Sequence, residues 1–202
     1  TTLEFTRPGE TTIDDMVGGG PFGLKPGEWT DDTSMALCLA ESLLECRGFD
    51  PVDQLRRYVR WWRDGHLSSN GRCFDIGNTV CNALARFERS PEPWCGATDP
   101  RSAGNGSLMR LAPVPLYFHR DPVKAAERCA DSSRTTHGAA EAVDACRYYG
   151  GLIVDALAGR PKEDLLAPRD AATPAVARIA AGSFRTCRPK GSGYVVESLE
   201  AA

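Results

Sequence analysis

Three consecutive oxygen donors, Thr30, Asp31 and Asp32, stand in 27-GEWTDDTSM-35, at the start of an apolar helical run. One use for them is capping: Thr30 accepts from first-turn amides and the carboxylates complement the helix dipole. The other is a cation. Adjacent carboxylates repel, a dication relieves the repulsion, and hard ions such as Mg2+ and Mn2+ take oxygen ligands. A second element, 104-GNGSLMR-110, places Gly104, Asn105, Gly106 and Ser107 before a helix, where backbone amides can hold a phosphate. Its ordinary alternative is a Gly-Asn-Gly turn with a serine cap. In 132-SSRTTHG-138, His137 opens a long helix whose dipole disfavours protonation. A neutral imidazole there suits hydrogen bonding to a sugar hydroxyl; a structural histidine is the alternative. Asp75, in 73-CFDIGNT-79, precedes another helix and either braces its loop or turns toward a site. His66 and His119 have no polar companions and are expected at the surface.

The elements that must position these residues read as helical almost throughout. The spacing predicts helices over 33–47, 51–64, 78–88, 107–118, 122–133, 138–159 and 170–182, with one more beginning at Tyr194. Pro51 and Pro122 suit the first turn of a helix, whereas Pro113 and Pro115 bend or end one. Tyr58, Trp61 and Trp62 read as core packing. The small residues Ala142, Ala145 and Ala156 give the 138–159 helix a face for close contact. No strand alternation, internal repeat or low-complexity tract is evident. Long glycine-rich loops over 18–29, 65–77 and 90–106 run directly into helix starts, which favours a site at those ends.

The bulk numbers narrow the function classes. The 202 residues suffice for one domain with a substantial core. A formal net charge of −3 gives no electrostatic case for nucleic acid or an anionic membrane surface. No apolar run approaches the roughly 20 residues of a membrane helix, and no leader pattern is present. The start at Thr1 rather than Met reads as a processed or missing natural start. The eight cysteines show neither a CxxC pair nor a Cys/His zinc spacing. Buried free thiols in a reducing cytoplasm are expected, not a disulfide framework.

Taken in order, GEWTDDTSMALCLAESL, GRCFDIGNT, GNGSLMRLAPVPL, SSRTTHGAAEAVDACRYYGGLI and GSGYVVESLEAA resemble the ADP-ribosylglycohydrolase family over nearly the whole chain. The resemblance implies an all-α, orthogonal multi-helix single domain, here spanning 1–202. It implies a cleft with two Mg2+ or Mn2+ ions, for which Thr30, Asp31 and Asp32 look like ligands. By the same likeness Asp75 lines the cleft. Gly104, Asn105, Gly106 and Ser107 surround the diphosphate of ADP-ribose, and His137 contacts the distal ribose. Glu4 matches a glutamate that closes over the site. The family's opening helix with a G-D-x-x-G element and its closing D-x-D-T-T element are not in this sequence, so the domain is expected to be incomplete at both ends.

The implied activity is hydrolysis of the N- or O-glycosidic bond of an ADP-ribosylated protein or small molecule. Asp31, Asp32 or Glu4 would accept a proton from water. A non-catalytic ADP-ribose binder, or a metal-dependent hydrolase of another nucleotide-like substrate, remains the alternative.

Overall fold

The computed structural model describes residues 14–186 and 190–202. Glu4 therefore lies outside the described residues. Ten α-helices follow in order: α1 (Asp31–Glu45), α2 (Pro51–Asp64), α3 (Asn78–Arg89), α4 (Gly106–Met109), α5 (Pro113–Phe118), α6 (Pro122–Arg134), α7 (Ala140–Leu157), α8 (Lys162–Leu165), α9 (Pro174–Ala180) and α10 (Val195–Ala201). Among the described residues only isolated β-bridges interrupt this all-α architecture.

The helix starts repeat one local device. Asp50 precedes Pro51, and its carboxylate accepts from the amides of Val52 at 2.9 Å and Asp53 at 3.0 Å. Asp121 precedes Pro122 and accepts from the Lys124 amide at 3.0 Å. Thr173 precedes Pro174 and accepts from the Val176 amide at 3.4 Å. The cap satisfies first-turn donors, and the proline fixes φ where no amide partner is needed. The same logic divides the segment that the sequence spacing joined as 107–118. Pro113 and Pro115 both fall in the first turn of α5, where a missing N–H costs nothing, so the chain breaks after α4 and restarts. The expected 170–182 helix shortens to α9, because capping by Thr173 fixes its start.

α6 and α7 form the most extensive helix pair, with α5 against both and α1 against α2 and α5. α10 packs on α7 and α9. Leu39, Leu55, Tyr58, Trp61, Leu84, Leu111 and Val114 are buried between these helices, as is most of the small-residue face of α7. Cys38, Cys95, Cys129 and Cys146 are buried free thiols, whereas Cys46 is exposed. His66 departs from its expected surface position. Its Nε2 lies 2.7 Å from Glu41 and its Nδ1 lies 3.3 Å from Arg60, because the loop after α2 folds back onto α1. Among the described residues no helix is long and apolar enough to cross a membrane.

Candidate active site

The N-terminus of α1 presents Thr30, Asp31 and Asp32. Thr30 occupies the N-cap position with extended backbone, yet its hydroxyl makes no capping hydrogen bond. The Thr30 carbonyl makes the first bond of the helix, accepting from the Ser34 amide at 3.2 Å, and also accepts from the Ser34 hydroxyl at 3.0 Å. Thr30 and Asp31 are both buried, at 4% and 8% exposure. Burial, and then the carboxylates of Asp32 and Asp75, push the Asp31 carboxyl up to about 8. The helix dipole favours negative charge here, but crowding outweighs it.

Asp75 reaches this group because two loops are tied together. The Trp29 indole N–H donates to the Leu67 carbonyl at 3.2 Å, and the Ser69 hydroxyl donates to the Trp29 carbonyl at 2.6 Å. The Phe22 and Phe74 rings pack with centroids 5.4 Å apart. Asp75 itself has φ of 60°, a left-handed conformation that is strained for a residue with a Cβ. Such strain persists only where surrounding contacts impose it, and here it accompanies a carboxylate aimed at other carboxylates.

These acids form part of a cleft of about 880 Å3. Gly104, Asn105, Gly106 and His137 also line it, together with Asn78, Met109 and the 190–193 segment. Ser107 does not. At 1% exposure it lies behind the loop, where the Cys146 thiol donates to its hydroxyl at 3.4 Å. The Ser133 hydroxyl donates to the His137 carbonyl at 2.9 Å, so the 2.9 Å Ser107–Ser133 contact carries the Ser107 proton. The Ser107 side chain thus braces the loop from within.

The glycine loop is likewise partly committed. The Gly104 amide donates to the Ser102 carbonyl at 2.8 Å and the Asn105 amide to the Gly193 carbonyl at 3.0 Å. The Asn105 side chain donates to the Ser198 hydroxyl at 2.9 Å, which fixes the loop to α10. α4 is a single turn, so the expected helix-dipole support for an anion is small. Close approach explains why glycine occupies position 106: a methyl there would meet His137 Cε1 at 3.0 Å and Nε2 at 3.2 Å. His137 is 2% exposed, and burial together with the nearby Arg110 guanidinium lowers it to about 3. The imidazole is neutral, as the sequence reading expected, although desolvation and Arg110 cause it and not a helix dipole.

Two features escaped the sequence reading. Arg110 is completely buried beneath the loop; its only signal was a lone charge inside the apolar run SLMRLAPV. The 190–193 segment, which brings Lys190 to the cleft wall, carried only a Gly-Ser-Gly turn as signal.

Do these residues fit divalent cations? The donor chemistry does: Asp31, Asp32 and Asp75 bring hard carboxylate oxygens to one cleft. Thr30 precedes them in the chain but does not line the cleft. Among the described residues, no group of three or more His, Cys, Asp or Glu side chains converges as a closed metal cluster.

The domain is thus all-α, with acids at a helix start, a glycine loop and a buried histidine lining one cleft. The chain belongs to the ADP-ribosylglycohydrolase family, whose model matches residues 1–202. It is 41% identical to an ADP-ribosylarginine hydrolase of Serratia proteamaculans (strain 568) and 44% identical to one of Pseudomonas putida (strain GB-1). In each case the match covers 100% of this chain and 56% of the relative, so the chain spans about half the length of these relatives. A solved structure titled ADP-ribosylglycohydrolase-related protein complex superposes with a TM-score of 0.82 at 41% identity. That match covers 98% of this chain and 65% of the other.

Proposed function

We propose that this cleft hydrolyses the bond joining ADP-ribose to a protein side chain, arginine foremost. The observation that carries the reading is that one cleft gathers the acids Asp31, Asp32 and Asp75 with the Gly104–Gly106 loop, His137 and Lys190. The similarity to ADP-ribosylarginine hydrolases supports the choice of linkage.

Backbone groups around Gly106 and the Asn105 turn seat the diphosphate, while His137 donates to a hydroxyl of the distal ribose. This remote binding holds the anomeric carbon against the acids, which is how positioning lowers a barrier. Asp31 or Asp32 accepts a proton from the attacking water as the glycosidic bond opens with oxocarbenium character. The Asp31 carboxyl, raised to about 8, must lose its own proton before it can take that role, which a bound cation would favour. Two Mg2+ or Mn2+ ions held with the help of Thr30, Asp31 and Asp32 would supply charge neutralisation and Lewis-acid activation when bound. Glu4, outside the described residues, is a further candidate acid.

Asp32→Ala tests the reading. It is expected to lower release of ADP-ribose from an ADP-ribosylated arginine substrate by at least a hundredfold, while calorimetric affinity for ADP-ribose changes far less. It should also remove the rise in melting temperature that Mg2+ or Mn2+ gives the wild-type protein, since ligand binding to the native state stabilises it. Equal loss of turnover and affinity would remove Asp32 from the chemistry. Wild-type binding without turnover at any metal concentration would make the protein an ADP-ribose binder.

A further inference from the structure

Among the described residues, the hydrogen-bond partners of the buried Arg110 guanidinium are all neutral. Its Nη2 donates to Thr136 Oγ1 at 2.7 Å, Thr135 Oγ1 at 3.2 Å and the Ser132 carbonyl at 3.2 Å. Its guanidinium carbon lies 4.7 Å from the centre of the Tyr58 ring. Burying a charge is costly unless polar contacts compensate it, so this placement calls for a reason. Thr136, itself completely buried, links Arg110 to the cleft: its Oγ1 lies 2.8 Å from His137 Nδ1.

We propose that Arg110 and Thr136 are positioning residues that lock His137 as the tautomer with its hydrogen on Nε2, so that the ring offers the cleft a hydrogen-bond donor and no acceptor. The argument is one of proton accounting. A guanidinium can only donate, so Thr136 Oγ1 accepts from Arg110. The hydroxyl has one proton, and His137 Nδ1 is the acceptor within reach. A hydrogen on Nδ1 would leave the buried Thr136 proton without that acceptor, at a cost typical of an unsatisfied buried donor. Nδ1 therefore stays bare and Nε2 carries the hydrogen. Nε2 is the atom facing the loop, since a methyl at Gly104 or Gly106 would lie 3.4 or 3.2 Å from it. The backbone is held as well: the His137 amide donates to the Ser133 carbonyl at 2.7 Å, and its carbonyl accepts from the Ser133 hydroxyl.

The tautomer follows from the hydrogen bonds alone. Its use, recognition of an acceptor oxygen such as a ribose hydroxyl, rests on reading the cleft as an ADP-ribose site. The test is nitrogen-15 NMR of the ligand-free protein, reading the protonation of both His137 ring nitrogens. With three histidines in the chain, His66→Gln and His119→Gln variants assign the signals. The expected result is hydrogen on Nε2 in wild type, a mixture of tautomers in Thr136→Val, and return to Nε2 in Thr136→Ser. ADP-ribose affinity should fall about twofold for an even mixture, in proportion to the donor population lost, and recover in the serine variant. Hydrogen on Nδ1 in wild type overturns the proposal even if the valine variant fails to fold, and so does an unchanged tautomer in a folded Thr136→Val. If wild type shows Nε2–H yet binds no ADP-ribose, the positioning stands and the ligand reading falls.

Discussion

Gly150→Ala adds one methyl group where α7 passes close to α6. The added Cβ would lie 2.4 Å from Cys129 Sγ and 3.0 Å from Cys129 Cβ. Ordinary contact between such atoms is about 3.5–4.0 Å, so the sulfur must retreat by roughly 1 Å or more. Turning the thiol to another rotamer relieves only part of the clash, because the Cβ remains at 3.0 Å. Cys129 is fully buried, and the helices must therefore separate. Overpacking of this kind costs about 1–3 kcal/mol, against about 1 kcal/mol gained when alanine replaces glycine within a helix. The expected net loss is about 0–2 kcal/mol, or a fall in melting temperature of up to roughly 8 °C for a domain of this size. Denaturant unfolding of Gly150→Ala, Cys129→Ala and the double variant forms the assay. Cys129→Ala removes the sulfur, so Gly150→Ala should cost about 1 kcal/mol less in that background, a coupling expected of touching residues. If Gly150→Ala alone stabilises the protein by the full helix-propensity gain, the close approach of α6 and α7 is wrong. The consequence reaches the cleft, because His137 sits on the five-residue connection between these two helices.

Gly106→Ala should fold with a melting temperature within a few degrees of wild type, since the methyl meets side-chain atoms only, and should weaken ADP-ribose binding about tenfold by displacing the His137 ring; calorimetry showing undiminished affinity would place the ligand away from that edge. Asp144 is buried and accepts from the Ala172 amide at 3.0 Å, the Thr173 amide at 2.8 Å and the Thr173 hydroxyl at 2.9 Å. Despite the opposing effect of burial, those bonds and Arg147 lower its carboxyl below the ordinary value. A depressed folded-state value means stabilisation present above about pH 4 and lost as pH falls through the folded value. Asp144→Asn should thus cost about 1.5–3 kcal/mol near neutrality and less in acid, and urea unfolding that shows the same cost at pH 3 and pH 7 would contradict the assignment.

Two helix starts were legible because they are written locally, with Pro51 and Pro122 each marking a first turn, whereas Thr173-Pro174 went unread and the 170–182 expectation began too early. The acids at Thr30–Asp32 were legible for the same reason, as a donor run at a helix start. What sequence spacing could not reveal depends on contacts between distant segments. Ser107 reads as a loop hydroxyl, yet its proton is consumed by Ser133, 26 positions away. His66 reads as solitary, yet the fold sets Glu41 beside it. Arg110 drew no reading at all, and only the arrangement of α2, α4 and the end of α6 shows the buried polar layer that receives it. Hydrophobic periodicity reports which face is inside; it cannot report which buried polar groups find each other there.

Two parts of the cleft are held by different physics, and the difference bears on what each can do. Around His137 the buried donors and acceptors are largely matched, from Arg110 through Thr136 and from Cys146 through Ser107 and Ser133. A matched network fixes one geometry and one protonation state, which suits recognition. Around Asp31 the opposite holds. Burial, and then the neighbouring carboxylates, raise the Asp31 carboxyl, and Asp75 sits on strained backbone. Three acids on one cleft suit a positive charge that joins them, a cation or the developing oxocarbenium charge of a transition state. On the proposed reading, charge would change at these acids, and the matched network around His137 would hold the substrate.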